Sequence, residues 1–224
     1  MAKVPRAGNV KTRLQPFLSP EKCRTLAEAF VLDAINKTQN VCDQLVIAFA
    51  PASEKNYFNN DNLILIEQTG ADLGAKMFNA FEFAFHKDSD ANVVLVGTDS
   101  PTFPAEFIIQ AFEKLETRAE IVLGESDDGG FYLIGLRNLI PKLFDKIEWS
   151  SPRVYRQITR NIDKLKADLQ TIPAWYDVDN PNDLQRLREE ILQNEKAQKT
   201  APETFQWLLA NANFFLIAAP ENKS

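Results

Sequence analysis

Several features are scarce or absent in this chain of 224 residues, and they limit what the protein can be. The two cysteines, Cys23 and Cys42, form neither a metal-binding spacing nor a disulfide framework, which fits a reducing, cytoplasmic compartment. The single histidine, His86, lies beside charged residues, so we expect a surface role rather than catalysis. No run approaches the roughly 20 apolar residues of a membrane helix, and residues 1–13 lack the apolar core of a signal peptide.

Positive charge is also in short supply. The chain has 25 lysines and arginines against 31 acidic residues, and its formal net charge of −6 argues against nonspecific binding to nucleic acid. A hydrophobic content of 45% excludes a disordered chain. The length and composition therefore predict one folded domain over residues 1–224, with a helical tail from about residue 200 to residue 224.

Strand and helix patterns alternate along most of the chain. Short apolar runs predict buried strands, and apolar residues at helical spacing predict the helices between them. The alternation predicts an α/β fold with a largely parallel sheet. The predicted elements are helix 20–37 with Ser19 as N-cap, strands 45–49 and 63–66, a helix from residue 72, strand 93–97, helix 104–116, strands 120–124 and 131–136, a linker at 193–200 and a final helix at 202–212.

The apolar strand at 93–97 leads directly into the turn Thr-Asp-Ser-Pro at residues 98–101. Ligand-binding groups of α/β proteins lie where strands end at the carboxyl edge of the sheet, so Asp99 is a candidate functional residue. The alternative is structural, because Asp before Ser-Pro also closes turns or caps a helix, here one that begins near Pro104.

A second acidic turn follows the strand at 120–124, with Asp-Asp-Gly-Gly at residues 127–130. Adjacent carboxylates repel each other unless a cation or a donor lies between them, and glycines let the backbone approach a ligand closely. Asp-Gly is also a strong hairpin signal, so a purely structural turn is the alternative. Together with Asp99, this turn indicates an oxygen-rich site for Mg²⁺ or Mn²⁺ completed by the phosphates of a nucleotide.

The complementary charge lies at the start of the chain, where Lys3, Arg6, Lys11 and Arg13 surround Gly8. Lysine offers phosphate a point charge, arginine a planar fork, and the backbone around a glycine can form an anion-binding nest. The spacing does not match a Walker A loop. A solvated basic tail is the alternative to a loop that holds pyrophosphate.

Residues 2–14, 97–101 and 128–135 together resemble a bacterial family of GT-A-like nucleotide-diphospho-sugar transferases, first catalogued as a domain of unknown function. Some of its members are described as glycosyltransferases of arsenosugar biosynthesis. The resemblance implies a GT-A-like fold, a three-layer α/β/α sandwich with a mainly parallel sheet. Further blocks that match the family lie at residues 68–77, 149–152 and 177–184.

The resemblance also implies a function, that of a metal-dependent glycosyltransferase that moves a sugar from a nucleotide-diphosphate donor to a small-molecule acceptor. Asp99 would hold Mg²⁺ or Mn²⁺ against the diphosphate and act in catalysis, and Asp128 would be a second metal ligand or the general base. The residues expected to bind the nucleotide phosphates are Lys3, Gly8, Lys11 and Arg13.

The acceptor pocket is expected to include two glycines and three side chains. The alternative for the regions near residues 150 and 178 is helix capping, by Ser151 in the first and by Asp179 or Asn180 in the second. The five expected pocket residues are Gly129, Gly130, Trp149, Ser150 and Asp177.

Two other functions stay open. The broader superfamily contains nucleotidyltransferases, which would release pyrophosphate from a nucleoside triphosphate. A catalytically silent nucleotide-binding protein is the third reading, because relatives carry an apolar first strand before the basic segment and this strand is expected to be missing here. Its loss would expose the edges of neighbouring strands, unless the strand-like run at 213–220 fills the position.

Overall fold

The computed structural model describes residues 1–58 and 63–213 of the chain, and the run at 214–220 therefore lies outside the described residues. Within them, seven β-strands and seven α-helices alternate, which confirms the predicted α/β class. The elements in chain order are β1 (Ala2–Lys3), α1 (Pro20–Thr38), β2 (Val46–Ala50), β3 (Ile64–Glu67), α2 (Leu73–Lys87), β4 (Val93–Val96), α3 (Ala105–Thr117), β5 (Ile121–Ser126), β6 (Phe131–Leu136), α4 (Val154–Leu165), β7 (Leu169–Trp175), α5 (Pro181–Gln193), α6 (Glu195–Thr200) and α7 (Pro202–Ala210).

The strands form two sheets rather than the single, mainly parallel sheet that was predicted. The first sheet is parallel, with the order β1-β2-β3, and the second is mixed, with the order β4-β6-β5-β7. β6 runs antiparallel to both β4 and β5, whereas β5 and β7 are parallel. The prediction was wrong because β6 returns directly from β5 through a hairpin and inserts between β4 and β5, so the β-α alternation is broken there.

Helices cover both faces of the mixed sheet, as a three-layer arrangement requires. On one face, Phe81 of α2 and Ile158 of α4 pack in one cluster with Leu123 of β5. On the other face, Ile108 of α3 packs with Val122, the next residue of the same strand. Neighbouring strand residues point to opposite faces, so the alternation along β5 places the apolar core on both sides of the sheet.

α1 lies beside α3 and carries the C-terminal helices on its other side. The carboxylate of Asp33, fully buried on α1, accepts hydrogen bonds from the backbone N–H groups of Glu203 and Thr204, both at 2.9 Å. The hydroxyl of Thr204 donates to the same carboxylate at 2.6 Å. This buried acid therefore caps the first turn of α7 and fixes that helix against α1.

The predicted helix starts are confirmed in part. Ser19 caps α1, with its side chain accepting from the N–H of Lys22, and Asn180 caps α5 through a reciprocal capping box with Asp183. Ser151 is not the N-cap of α4, since that helix begins only at Val154.

The predicted linker at 193–200 is also wrong. Asn194 caps the short helix α6 there, because its side-chain oxygen accepts from two backbone N–H groups. The final helix ends at Ala210 rather than at residue 212. None of the helices in the described ranges is long and apolar enough to cross a membrane. Both cysteines are free thiols.

An N-terminal strand is present, although it was expected to be missing. β1 consists of Ala2 and Lys3, which pair in parallel with Phe49 and Ala50 of β2. The pairing continues for one more residue, because the N–H of Val4 donates to the carbonyl of Ala50 at 2.8 Å. The basic segment is therefore anchored to the parallel sheet where it begins, contrary to the expectation that no strand precedes it.

Candidate functional site at the carboxyl edge of the strands

The candidate residues converge at one edge of the molecule. Because β4 and β5 are both antiparallel to β6, and β7 is parallel to β5, the carboxyl ends of β4, β5 and β7 face the same way. Asp99 follows β4, Asp128 lies in the turn after β5, and Asp177 and Asp179 follow β7. The basic segment that follows β1 reaches the same edge through Lys11. This is the place at which open α/β sheets bind ligands.

Lys11 joins three of these segments. Its ammonium group forms a salt bridge with a carboxylate oxygen of Asp99 and donates a hydrogen bond to the carbonyl of Val178 at 2.8 Å. The N–H of Val178 in turn donates to the carbonyl of Asp99 at 2.9 Å. The side chain of Lys11 is only 7% exposed and its ammonium group lies 4.9 Å from the ring centre of Phe30. The cation is thus held in place before any ligand arrives.

Asp177 is the most strongly perturbed acid of the site. One of its oxygens accepts from the hydroxyl of Ser100 and the other from the hydroxyl of Ser126, the latter at 2.9 Å. The pKa of Asp177 is raised from 3.8 to about 6, chiefly by burial and also by the nearby carboxylates of Asp99 and Asp128. Asp177 therefore ties the turn after β4 to the turn after β5.

Asp179 lies on the side of the basic segment. Its carboxylate oxygens lie 3.9 Å from the ammonium group of Lys11 and 3.4 Å from the guanidinium of Arg13. Burial raises the pKa of Asp179, and the two cations oppose that shift. Asn180, not Asp179, caps the following helix, so the capping interpretation leaves Asp179 free to act in the site.

The turn at 126–130 is a β-hairpin, as the structural alternative predicted. The side chain of Asp128 accepts from the N–H of Gly130 at 2.8 Å, and Gly129 adopts a φ of 86°. Asp127 points away from the site and pairs with Arg186 of α5 at 2.7 Å. The charge of Asp128, the other acid of the pair, contributes to the raised pKa of Asp177.

The residues expected to border an acceptor pocket lie beside this hairpin. A Cβ atom on Gly129 would lie 2.2 Å from the carbonyl oxygen of Pro152, and the N–H of Tyr155 donates to the carbonyl of Gly129 at 2.8 Å. Trp149 packs against the start of α2, where a Cβ atom on Gly74 would lie 2.6 Å from its indole ring. Ser150, the next residue, is exposed. The hairpin and the segment around residue 150 therefore form one wall.

The remaining residues of the basic segment differ in their contacts and in the exposure of their side chains. Lys3 donates to the carbonyl of Asn9 at 2.6 Å and so closes the basic loop on itself. Gly8 has a φ of 84° and open space around the position of a Cβ atom. The side chain of Arg13 is 72% exposed and is therefore accessible to a phosphate group, whereas that of Lys11 is largely buried. Arg6 is engaged in a salt bridge with Glu54.

The described residues contain no group of three or more His, Cys, Asp or Glu side chains arranged to hold a metal ion. The chain can still supply one or two carboxylates, those of Asp99 and Asp128, which is the number that Mg²⁺ commonly takes from protein when phosphates and water complete its shell. The donor set therefore fits a cation that arrives together with a diphosphate better than one bound by protein alone.

Sequence reasoning missed the supports of this edge. Ser100 and Ser126 hold Asp177 across 77 and 51 positions of the chain, respectively, and the sequence beside them gives no sign of this pairing. The ammonium group of Lys37, buried on α1, donates to the carbonyl of Pro101 at 2.8 Å. Glu190 accepts a hydrogen bond from Thr102 at 2.9 Å. These contacts fix the turn after β4, and no local pattern signals them.

Comparison with known proteins agrees with this geometry. The chain has an α/β fold that resembles the fold of nucleotide-diphospho-sugar transferases. Residues 32–151 match the model of a family described as an uncharacterized protein conserved in bacteria, DUF2064. The chain belongs to this family.

Two solved structures are similar. A protein from Desulfovibrio desulfuricans G20, described as a candidate nucleotide-diphospho-sugar transferase, shares 29% identity, with a TM-score of 0.88 over 96% of this chain and 94% of that one. CMP:2-keto-3-deoxy-manno-octonic acid synthetase, complexed with CTP, shares 9% identity, with a TM-score of 0.53 over 86% of this chain and 96% of that one, which is a likeness of fold alone. A search of curated proteins gave no significant match.

Proposed function

We propose that this protein is a metal-dependent glycosyltransferase that moves a sugar from a nucleotide-diphosphate donor to a small acceptor. The observation that carries the proposal is the contact between Lys11 and Asp99, which brings the basic segment and the acidic turn after β4 together at one edge. The similarity to a candidate nucleotide-diphospho-sugar transferase supports the same substrate class.

The donor diphosphate would bind between the basic segment and Asp99. Lys11 and Arg13 supply positive charge on one side, and the loop around Gly8 offers open backbone on the same side. Mg²⁺ or Mn²⁺, when bound, would supply further positive charge to the diphosphate as the bond to the sugar breaks. The ligands that this chain offers to such a cation are Asp99 and Asp128.

The two remaining carboxylates have different roles in this proposal. Asp177 has both oxygens engaged by serine hydroxyls, so it positions the turns that carry Asp99 and Asp128 rather than touching the acceptor. Within the described residues, the carboxylate of Asp128 accepts one hydrogen bond, from the N–H of Gly130 in its own turn. It is therefore the better candidate for the general base that takes the proton of the acceptor hydroxyl, or for the second ligand.

The hairpin offers a matched pair of variants for the test. Asp128→Asn and Asp127→Asn alter adjacent residues of one turn, but only Asp128 lies toward Asp177, whereas Asp127 pairs with Arg186. A panel of nucleotide sugars with and without Mn²⁺ would be followed by release of nucleoside diphosphate. We expect Asp99→Asn and Asp128→Asn to lower kcat/KM by at least about 100-fold, whereas Asp127→Asn retains activity.

The same assay separates the other functions. Pyrophosphate release from a nucleoside triphosphate would identify a nucleotidyltransferase instead. Metal-dependent binding without turnover of any donor would identify a silent nucleotide-binding protein. Equal loss of activity in the Asp127→Asn and Asp128→Asn variants would contradict the role given to Asp128, since it would show that any change in the hairpin has the same effect.

A further inference from the structure

Positive charge is distributed unevenly along this acidic chain. Residues 137–166 contain eight lysines and arginines and only three acids, whereas the whole chain has 25 basic residues against 31 acidic ones. This segment comprises α4 and the loop that precedes it. The rest of the chain is therefore even more acidic than the net charge of −6 indicates, and the excess of positive charge is local.

α4 has an apolar side and a basic side. The apolar side is buried in the core through Val154, Ile158 and Ile162. The opposite side is exposed, and its basic side chains follow one another at a spacing of four residues, about one helical turn. These basic residues are Arg156, Arg160 and Lys164.

The loop before α4 extends this basic side. The side-chain amide of Asn161 donates to the carbonyls of Leu143 and Asp145, at 3.0 and 2.9 Å, and so holds the loop against the helix. The exposed side chains of Lys142 and Lys146 belong to this loop, and exposed Lys166 ends α4. We call the six cations together the α4 basic surface: Lys142, Lys146, Arg156, Arg160, Lys164 and Lys166.

The three lysines of the α4 basic surface stand where the backbone does not favour lysine. Lys142, Lys146 and Lys166 have φ values of 69°, 57° and 56°. Glycine adopts this left-handed region without the steric cost that a side chain brings. The backbone conformation therefore gives no reason for lysine at these positions, whereas a surface that requires positive charge does.

The acids of the same segment do not neutralise the α4 basic surface. Glu148 pairs with Arg153 at 2.6 Å, and neither belongs to the six cations. Asp145 and Asp163 are the other acids of the segment. Within residues 1–58 and 63–213, none of the six cations forms a salt bridge, so their charges face solvent.

The chemistry of the α4 basic surface determines which partner fits it. A specific protein interface needs apolar or aromatic anchors at its centre. Among the described residues of α4, Leu165 is the exposed large apolar side chain, and it lies at the helix end, about 100° around the axis from Lys164. Single-stranded nucleic acid needs exposed aromatic rings for stacking, and the basic side of α4, which is described in full, carries none.

An anionic bilayer makes neither demand. Its surface attracts clusters of lysine and arginine on an amphipathic helix through charge alone, and long flexible side chains on a convex helix can reach its phosphates. We propose that the α4 basic surface docks this protein onto membranes that contain anionic phospholipid. The protein lies on such a membrane and does not span it.

The position of α4 gives this docking a consequence for the candidate site. The helix begins beside the acidic hairpin, where the N–H of Tyr155 donates to the carbonyl of Gly129 at 2.8 Å. α4 then runs away from that edge along one face of the mixed sheet. A membrane against the α4 basic surface therefore lies next to the edge that carries Asp99 and Asp128.

The test is sedimentation of the full chain with vesicles of phosphatidylcholine and phosphatidylglycerol in equal parts, and with vesicles of phosphatidylcholine alone. We expect binding to the first and not to the second, and loss of binding in about 0.5 M NaCl. Each lysine or arginine near an anionic bilayer strengthens binding by about fivefold. Replacing Arg156, Arg160 and Lys164 together by glutamine should therefore weaken vesicle binding by about 100-fold.

Two further triple variants complete the design. Replacing Lys142, Lys146 and Lys166 by glutamine removes the other half of the α4 basic surface, and should also weaken binding by about 100-fold. The matched control replaces Lys55, Lys196 and Lys199, three exposed lysines elsewhere, and so makes the same change in net charge. We expect the control to bind like the unmodified chain, and all three variants to keep its Tm because the side chains are exposed.

Three results would overturn the proposal. The first is absence of binding of the unmodified chain to the anionic vesicles, and the second is an equal loss in the control variant. The third is tighter binding to polyglutamate or to duplex DNA than to the vesicles at the same concentration of negative charge, which would assign the surface to an acidic protein or to nucleic acid. No nucleotide or metal enters the assay, so its outcome is independent of the proposed transferase activity.

Discussion

Replacing Asp177 by asparagine should stabilise the folded protein at neutral pH while impairing its site. The pKa of this carboxyl is raised from 3.8 to about 6, chiefly by burial and then by the charge of Asp99. The folded state therefore binds the proton more tightly than the unfolded state, so stability falls as the pH rises from about 4 to about 6 and the full penalty is present above that range. At 1.36 kcal/mol per pKa unit, the penalty is about 3 kcal/mol.

The amide of the Asp177→Asn variant carries no charge and so avoids this penalty. It keeps one acceptor oxygen, but it presents an NH₂ group where the carboxylate now accepts from a second serine, either Ser100 or Ser126. Rearranging that hydrogen bond costs about 1 kcal/mol. The net expectation is a gain in unfolding free energy of about 2 kcal/mol at pH 8 and a loss of about 1 kcal/mol at pH 4.

Urea denaturation at several pH values in metal-free buffer measures this difference. The control is Asp163→Asn, an exposed acid on α4, which should change stability by less than about 0.5 kcal/mol at every pH. If the Asp177→Asn profile ran parallel to that of the unmodified protein between pH 4 and 8, the burial argument would be refuted. A lower stability at pH 8 would show that the two serine hydrogen bonds outweigh the cost of burying the charge.

Two further substitutions test the packing around the site and of the C-terminal helices. Gly129→Ala and Gly8→Ala both place a side chain at a positive φ, which costs about 1–2 kcal/mol of stability. Only the side chain of Gly129→Ala also meets the carbonyl of Pro152, so thermal denaturation should show that this variant loses about 2 kcal/mol more stability than Gly8→Ala. Similar losses for the two variants would show that the hairpin can move away from Pro152. Asp33→Ala should cost about 3 kcal/mol in urea denaturation, because it uncaps α7 and removes one of the two carboxylates, with that of Glu190, whose charge favours the buried ammonium group of Lys37. A loss below about 0.5 kcal/mol would contradict the capping role.

Local signals predicted much of the fold. Ser19 before Pro20 marks the start of α1, and Asn180 before Pro181 marks the start of α5, because caps depend on neighbouring residues. The turn that presents Asp99 was also predicted, because the end of a strand is visible in the sequence where an apolar run is followed by a Ser-Pro turn. In each case, the interaction that decides the structure spans only a few positions.

Two of the failures involve partners that are distant in the chain, and a third is local. The insertion of β6 beside β4 depends on which strands have an unpaired edge in the folded sheet. The sequence of the hairpin itself does not contain that information. The bond between Ser126 and Asp177 joins two loops whose residues look like ordinary turn formers. The helix over Glu195–Thr200 was predicted as a linker because its residues are polar, although Asn194 at its start is a good cap.

The parallel sheet and the candidate site are connected through the first residues of the chain. β1 ends at Lys3, and from there the chain passes directly into the loop that carries Lys11. With only two residues of strand at its start, the loop is held largely by the contacts of the Lys11 ammonium group with Asp99 and Val178. A phosphate that draws Lys11 away from Asp99 would loosen those contacts at the moment of binding.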